Sequence, residues 1–562
     1  MRRRGLTILT FRSDESALAL VFAEHSLFCE AKQDGQDMRD FHFPGRSPVL
    51  AQNGMCATSH PLAAKVAVDI MERGGNAMDA AIAGAVLLGI CEPQMTGIGG
   101  DCFVLFQDKE GGAIRALNGS GCAPAGADLA ALKARGETTV PLNGPEAVTI
   151  PTAMDAFCRL SEDYGKIGID AILAPTIRYA EEGVPVAARV AFDWPEAGKA
   201  LQGHGRSHYM IDGKPGEVGQ MFRAPAQAEA LRRVAKEGRK GFYEGEVAED
   251  MVAALKALGG VHELSDFANA ASFYTEPVGS HYKGADLLEH PPNGQGATAN
   301  LMLNILSHFD LASMEPFGAM RAHIEAEATK LAYDARNRFI ADPDVSKRVE
   351  HMLSLETAAK LAALIDPKRA MAAAAPISEA VHKDTVYITV VDKDRMAVSF
   401  IYSIFHGFGS GIASEKFGIL LQNRGAGFTL DESHPNVYGA GKRPMHTIIP
   451  GMLAENGRAT MPFGVMGGQY QSCGHARFVT NMTDFGMDAQ SAIDAPRCFS
   501  DVGELKIEKG YSEAVRAELA DMGHKVVVPD GPLGGAQAIR IRNDGVLEGA
   551  SDPRKDGAAL GY

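Results

Sequence analysis

The Asp384-Thr385 bond lies where a stretch of small residues meets a strand pattern, and that placement can turn one residue into two catalytic groups. If a connector delivers this bond to the edge of a rigid strand, the threonine hydroxyl can attack the preceding carbonyl. Cleavage then leaves Thr385 as a new N-terminus. The hydroxyl is the nucleophile, and the freed α-amine, with an ordinary pKa near ~8, lies close enough to neutrality to act as its base. This is the N-terminal-threonine variant of the serine-histidine-aspartate scheme. On residue type alone, a threonine opening a strand is more often a strand former than a nucleophile.

The elements that must position it are legible from alternation. Residues 384–391 and 397–404 are rich in β-branched and aromatic side chains, and the charged residues 392–395 between them supply turn chemistry. An antiparallel hairpin is predicted, with Thr385 at the start of a central strand. Its second strand runs into Phe408-Gly409-Ser410-Gly411, where glycine permits a turn or a close approach. Upstream, residues 370–382 are small and interrupted by Pro376, and read as a mobile connector.

Residues 384–411 belong to a longer series of motifs. It continues with Gly418-Ile419-Leu420-Leu421-Gln422-Asn423, Gly441-Lys442-Arg443-Pro444, Gly464-Val465-Met466-Gly467-Gly468, Ala495-Pro496-Arg497 and Gly549-Ala550-Ser551-Asp552-Pro553-Arg554. The series resembles the small subunit of the γ-glutamyltranspeptidase family. The N-terminal half agrees through Gly74-Gly75-Asn76-Ala77-Met78-Asp79-Ala80-Ala81 and Met95-Thr96-Gly97-Ile98-Gly99-Gly100. The resemblance runs from about residue 48 to the C-terminus in the family's order.

That resemblance implies an α/β (α+β) fold, the four-layer αββα sandwich of N-terminal-nucleophile hydrolases. It implies a precursor that cuts itself between Asp384 and Thr385 into pieces of 384 and 178 residues. These are a large subunit, 48–384, preceded by an extension, 1–47, and a small subunit, 385–562, which stay associated. Thr385 is the implied nucleophile, Gly467 and Gly468 supply the backbone N–H groups of the oxyanion hole, and Ser403 orients the nucleophile. No cofactor or metal is called for, because the α-amine and the oxyanion hole provide proton transfer and charge stabilisation. A higher homo-oligomer is left open.

The specificity positions depart from the family's pattern. The arginine that grips a γ-glutamyl donor's α-carboxylate aligns at or beside Ser120 and is missing; Arg115 sits on the strand before that loop. The acidic pair for the α-ammonium becomes Ala426 and Gly427, the paired serines become His446 and Thr447, and an asparagine becomes Phe405. Ser120, Asn423, Arg424, His446 and Thr447 are the expected substrate-binding positions. Arg424 can hold a small carboxylate bidentately or pair with a nearby carboxylate such as Asp431. His446 can bond substrate or satisfy a buried carbonyl. Read functionally, the two suit a short anionic amide such as oxamate, and the motifs also resemble the family's oxamate amidohydrolase branch; water, rather than an acceptor amine, is expected to resolve the acyl-enzyme. The alternatives are a true γ-glutamyltransferase or glutathione hydrolase, an acylase of bulkier amides in the manner of cephalosporin acylases, and a non-catalytic binding member.

Composition sets the outer limits. The 562 residues carry 46% hydrophobic residues, enough for a large core, and a net charge of −15, which argues against a nucleic-acid partner. No run approaches the ~20 apolar residues of a membrane span. Residues 1–47 show no clean signal peptide, so a cytoplasmic enzyme is expected, with a periplasmic one the alternative. The eight cysteines, at 29, 56, 91, 102, 122, 158, 473 and 498, have no close pairs or metal-ligand spacing and are expected to be reduced and buried.

Further elements follow from local signals. Ser59 is expected to cap a helix with Pro61 in its first turn, buried through Leu62, Val66 and Ile70 and ended by Gly74-Gly75. Asn76 with Asp79 predicts a second capped helix to about Leu88. The Thr96–Asp101 glycine run lacks the lysine of a phosphate loop, and the family resemblance implies that it forms a backbone wall near the site. Residues 127–363 read as mostly helical, with helices near 153–164, 224–237, 247–258 and 319–339 and one strand at 282–288.

Overall fold

The structure is a computed structural model that describes residues 32–33, 36–37, 42, 45–371 and 385–562. It separates into residues 1–47 and residues 48–562. In the first unit, Lys32–Gln33 pairs antiparallel with Gln36–Asp37. The second unit holds everything that positions the site. The expected connector lies, beyond Met371, outside the described residues, as do Asp384 and Cys29.

The predicted hairpin is present. Val386–Val391 and Ala397–Ser403 pair antiparallel, from Val386 opposite Tyr402 to Val391 opposite Ala397, and every residue of both strands is buried. Burial on both faces explains why both sequences are almost continuously apolar rather than strictly alternating. At the turn, the Asp392 carboxylate accepts from the N–H groups of Asp394 (2.9 Å) and Met396 (3.1 Å) and from that of Ala77 (2.9 Å). The same side chain therefore shapes the turn and caps the dipole at a helix start.

This hairpin is central in a seven-stranded antiparallel sheet ordered Ala558–Gly561, Met55–Thr58, Val386–Val391, Ala397–Ser403, Asp101–Gln107, Ile114–Gly119 and Phe273–Thr275. A second seven-stranded antiparallel sheet runs Val278–Tyr282, Ala285–Glu289, Gly451–Glu455, Arg458–Met466, Gly535–Ile541, Leu547–Ser551 and Val49–Ala51. Both sheets mix strands from before and after Thr385.

The sheets meet through a thin core that includes Met55, Leu105, Val391, Met452, Ile539 and Leu547. The Ser399 hydroxyl donates to the Phe463 carbonyl across the interface (3.2 Å). Gly464 is required there, since a Cβ would lie 2.4 Å from the Tyr387 ring. Helices Pro61–Glu72 and Ala77–Cys91 cover the first sheet, and Gly296–Leu306, Gln471–Thr483 and Ala489–Asp494 cover the second. The result is the expected four-layer αββα sandwich.

Several local expectations hold, and others need correction. Helices Ala153–Tyr164 and Ala319–Phe339 have the predicted bounds, while two more are Pro225–Glu237 and Glu246–Ala257. The Asn76/Asp79 capping box is present, but its helix continues to Cys91 because Ile90 and Cys91 keep packing in the core. The first helix is capped by the His60 side chain, not Ser59, whose hydroxyl instead donates to buried Glu92. The strand expected at 282–288 is two, Val278–Tyr282 and Ala285–Glu289, joined through Lys283 and Gly284 with positive φ (45° and 93°). All seven described cysteines are free. Among the described residues, no helix is long and apolar enough to cross a membrane.

Candidate active site

Thr385 precedes the first residue of its strand and is 2% exposed. Its hydroxyl donates to Ser403 Oγ at 3.4 Å, across the hairpin. Ser403 Oγ also accepts from the Phe405 N–H at 2.8 Å. That second bond requires the chain to bend sharply after the strand, and Phe405 adopts φ +81°, in a region that favours glycine. Strain of this kind costs about 1–3 kcal/mol and persists where surrounding contacts over-determine it. The expected glycine wall lies directly behind, because a Cβ on Gly100 would sit 2.3 Å from the Ser403 carbonyl oxygen.

Beside this pair lies a buried ionic cluster. Arg424 grips Asp101 with two parallel bonds, Nε to Oδ2 and Nη2 to Oδ1, both 3.0 Å. Its guanidinium carbon stands 4.4 Å from the centre of the Phe405 ring. His446 Nε2 donates to Asp101 Oδ2 at 2.6 Å, and all three side chains are fully buried. Burial alone would raise the Asp101 carboxyl, but the Arg424 guanidinium and His446 outweigh it and hold the group below the usual carboxylate range. Burial likewise holds His446 below its ordinary value, against the pull of Asp101. The consistent state is an ionised Asp101, a charged Arg424 and a neutral imidazole. Among the described residues, Arg424 Nη1 has no hydrogen-bond partner.

The cluster continues through neutral groups. His446 Nδ1 faces the Pro444 oxygen (2.8 Å) and the Asn293 side-chain nitrogen (3.0 Å). Asn293 Nδ2 also donates to Ser120 Oγ (3.2 Å), and Ser120 Oγ donates to Asn118 Oδ1 (2.6 Å). Asn423 has both ends of its amide on backbone, accepting from the His406 N–H (3.2 Å) and donating to the Leu142 oxygen (3.1 Å). The Thr447 hydroxyl is buried and, among the described residues, has no hydrogen-bond partner.

Gly467 and Gly468 end the strand Arg458–Met466 with φ of +114° and +55°. The Gly467 carbonyl accepts from the Tyr470 N–H (3.0 Å), which turns the Gly468 N–H of the same peptide to the opposite side. Gly468 opens a 3-10 turn, so its N–H has no partner within the turn. Arg336, fully buried, fixes this corner by donating to Gln295 Oε1 (2.8 Å) and to Gln469 Oε1. Gln295 Nε2 in turn donates to the carbonyls of Thr447 (2.6 Å) and Gly468 (3.3 Å). Met466, Ile448 and Tyr387 share one apolar cluster, which joins the glycine corner, the His446-Thr447 loop and the strand of Thr385.

Thus Thr385, Ser403, Arg424, His446, Thr447 and Ser120 are brought into one connected region, with Gly467 and Gly468 anchored to it. Asp384 lies outside the described residues. The alternative pairing of Arg424 with Asp431 is corrected: the carboxylate is Asp101, whereas Asp431 holds Ser433 in an exposed turn. Arg115 is exposed and bonds the Tyr164 hydroxyl, away from the cluster. Sequence reasoning assigned no role to Asp101, Asn293, Gln295 or Arg336. The one available signal was an acid directly after the Gly99-Gly100 pair, at the edge of the glycine wall.

An αββα sandwich with a threonine at the head of a central strand is the architecture of an N-terminal-nucleophile hydrolase. Residues 63–562 match the family model described as gamma-glutamyltranspeptidase. The chain belongs to that family and is an amidohydrolase of the N-terminal-nucleophile kind. It is 34% identical over 529 residues to the glutathione hydrolase-like YwrD proenzyme of Bacillus subtilis, covering 91% of this chain and 99% of the relative. It is also 34% identical over 534 residues to the oxamate amidohydrolase proenzyme of Klebsiella pneumoniae, again covering 91% and 99%. Among solved structures, the cephalosporin acylase of Bacillus halodurans superposes with a TM-score of 0.87 at 37% identity, covering 94% of this chain and 99% of the acylase.

Proposed function

We propose that the chain is a self-processing amidohydrolase that cleaves a short anionic amide, such as oxamate, through a Thr385 acyl-enzyme. In the precursor, Thr385 Oγ attacks the Asp384 carbonyl carbon, the peptide nitrogen leaves as the α-amine of Thr385, and water hydrolyses the resulting ester. The large (48–384) and small (385–562) portions then stay together, because each sheet contains strands of both.

In turnover, Thr385 Oγ attacks the substrate carbonyl and gives its proton to the Thr385 α-amine, which passes it to the departing ammonia. Ser403 holds the hydroxyl in place, consistent with the 3.4 Å bond. Developing charge on the carbonyl oxygen is met by the N–H groups of Gly467 and Gly468. One such donor is typically worth about 3–4 kcal/mol. Water then attacks the acyl ester and regenerates the hydroxyl.

The observation that carries the substrate reading is Arg424. A buried guanidinium bound on one edge by Asp101 and stacked on Phe405 has, among the described residues, no acceptor for Nη1. An unsatisfied buried donor costs about 1–3 kcal/mol, more when charged, and a substrate carboxylate oxygen would remove that cost. Asp101 neutralises much of the cation, so the contribution to binding is directional more than long-range. Family contacts for a zwitterionic γ-glutamyl group are replaced by Ser120, Phe405, Ala426 and Gly427, which supports the short substrate.

A second reading, an acylase of bulkier amides, is favoured by the 37% identity to the cephalosporin acylase. The two separate in a kcat/KM panel of oxamate, a γ-glutamyl amide and a bulky acyl amide. The proposal expects oxamate to be the best substrate and Arg424→Met to lower its kcat/KM at least tenfold. Preference for the bulky amide, with Arg424→Met without effect on it, would replace the proposal with the acylase reading.

A further inference from the structure

Outside the region of Thr385, three buried side chains converge on the outer helical layer. His323 and Glu327 lie one turn apart on helix Ala319–Phe339, so both project from the same face. His524 comes from the chain just past helix Glu513–Asp521, where Gly523 (φ +99°) and the His524 N–H bond to the Leu519 carbonyl (3.1 Å) fix its position. One ligand atom from each residue lies within 4.8 Å of the other two. The two imidazoles already meet, His323 Nδ1 to His524 Nε2 at 2.8 Å.

We infer that His323, Glu327 and His524 form a binding site for a divalent zinc-type cation. The donor set is the two-imidazole, one-carboxylate combination that suits zinc. His323 is prepared as a ligand, because its Nε2–H donates to the Asp366 carbonyl (2.8 Å) and leaves the Nδ1 lone pair directed at His524. Such a partner on the far nitrogen is the usual second-shell arrangement for a metal-bound histidine. Glu327 is oriented too, its Oε1 accepting from Lys330 (2.6 Å) and its Oε2 from the Met371 N–H (2.8 Å), so it enters as a monodentate ligand.

Zinc–nitrogen bonds of ~2.0–2.1 Å in tetrahedral geometry require the two nitrogens to be about 3.3 Å apart, so the pair opens by roughly 0.5 Å. The ion takes the place of the proton between the imidazoles, and His524 becomes the tautomer with its proton on Nδ1, so both ligands bind as neutral imidazoles. His524, 7% exposed, is the member that reaches solvent. His323 and Glu327 precede Thr385 in the chain and His524 follows it, so the ion ties together segments from the two sides of that residue. The role is structural and leaves the Thr385 chemistry metal-free.

The test uses the full chain, stripped with a chelator, desalted and titrated with ZnCl2, with bound metal counted by mass spectrometry of the elements. One zinc per chain is expected, bound at least tenfold more weakly in both His524→Asn and Glu327→Gln. Cobalt(II) substitution of the wild type should show the intense visible bands of a tetrahedral site, a readout that survives if a variant fails to fold. No stoichiometric zinc in the wild type, equal affinity in both variants, or an octahedral cobalt spectrum would overturn the inference.

Discussion

The surroundings of Thr385 and the cluster around Asp101 are neighbours built by different means. Around Thr385 the working geometry is backbone: a strand start, a bend at Phe405, a glycine wall behind Ser403 and a glycine corner at 467–468. Around Asp101 it is side chains drawn from far apart, with Arg424 and His446 lying 323 and 345 residues along the chain. In the proposed function the first arrangement serves any amide, since nucleophile and oxyanion donors touch only the reacting group. In the proposed function the second chooses among amides, through buried charge whose stability depends on every partner being present.

The sharpest way to break this contrast is to remove the cation. Arg424→Met should destabilise the protein by about 3–5 kcal/mol, because Asp101 is left as an uncompensated buried charge. Adding Asp101→Asn should restore most of that stability in denaturant melts while oxamate turnover stays low. If stability and turnover recover together, Arg424 is only a structural partner.

Next in size is the backbone side. Gly467→Ala places a Cβ 2.7 Å from the Gly534 Cα at a φ of +114°. The displaced amide should lower kcat by about 10²–10³, with KM nearly unchanged. A change confined to KM would mean that the glycine corner serves binding and not charge stabilisation.

Legibility from sequence followed the same division. The hairpin, the Asn76/Asp79 cap and helices 153–164 and 319–339 depend on local alternation and capping, and they could be read directly. The meeting of Thr385 with Ser403 was implied by contiguous motifs of the family. The partner of Arg424 could not be read, because a carboxylate adjacent in sequence, Asp431, is as plausible from spacing as Asp101, and only the sheet brings the latter close. Ser59 and His60 show the same limit on a small scale: both can cap, and buried Glu92 decides by taking the serine hydroxyl.

Arg336 tests the border between the two regions, since it is a buried cation whose hydrogen bonds hold Gln295 and Gln469 at the glycine corner. Arg336→Met should lower kcat roughly tenfold through loosened donors, and steady-state kinetics should show a smaller effect than Gly467→Ala.

The smallest effect is a pH dependence. Burial lowers the folded pKa of His446, so between the unfolded value near ~6.5 and the folded one the unfolded chain binds the extra proton. Stability therefore falls as pH drops through that window, and His290, lowered to about 4 by burial, adds to the same slope. His446→Asn should flatten the fall below pH 6.5 by up to about 1.4 kcal/mol per pH unit. Asp101 acts with a different window: its folded pKa is depressed, so its contribution is present above the unfolded value near ~3.9 and is lost only as pH falls further, through the folded value. The difference in denaturant midpoints between wild type and variant from pH 4.5 to 8 therefore isolates His446 from Asp101 and His290; an unchanged slope in the variant would mean that His446 is protonated in the folded protein.

The central claim is that Thr385 is both cleavage site and nucleophile, and intact-mass spectrometry of the purified wild type beside Thr385→Ala tests it most directly. The account predicts two wild-type masses, the smaller beginning at Thr385 and ending at Tyr562, and a single uncut mass for the variant. A folded wild-type chain that stays at its full 562 residues, or a variant that is cut at the same bond, would contradict it.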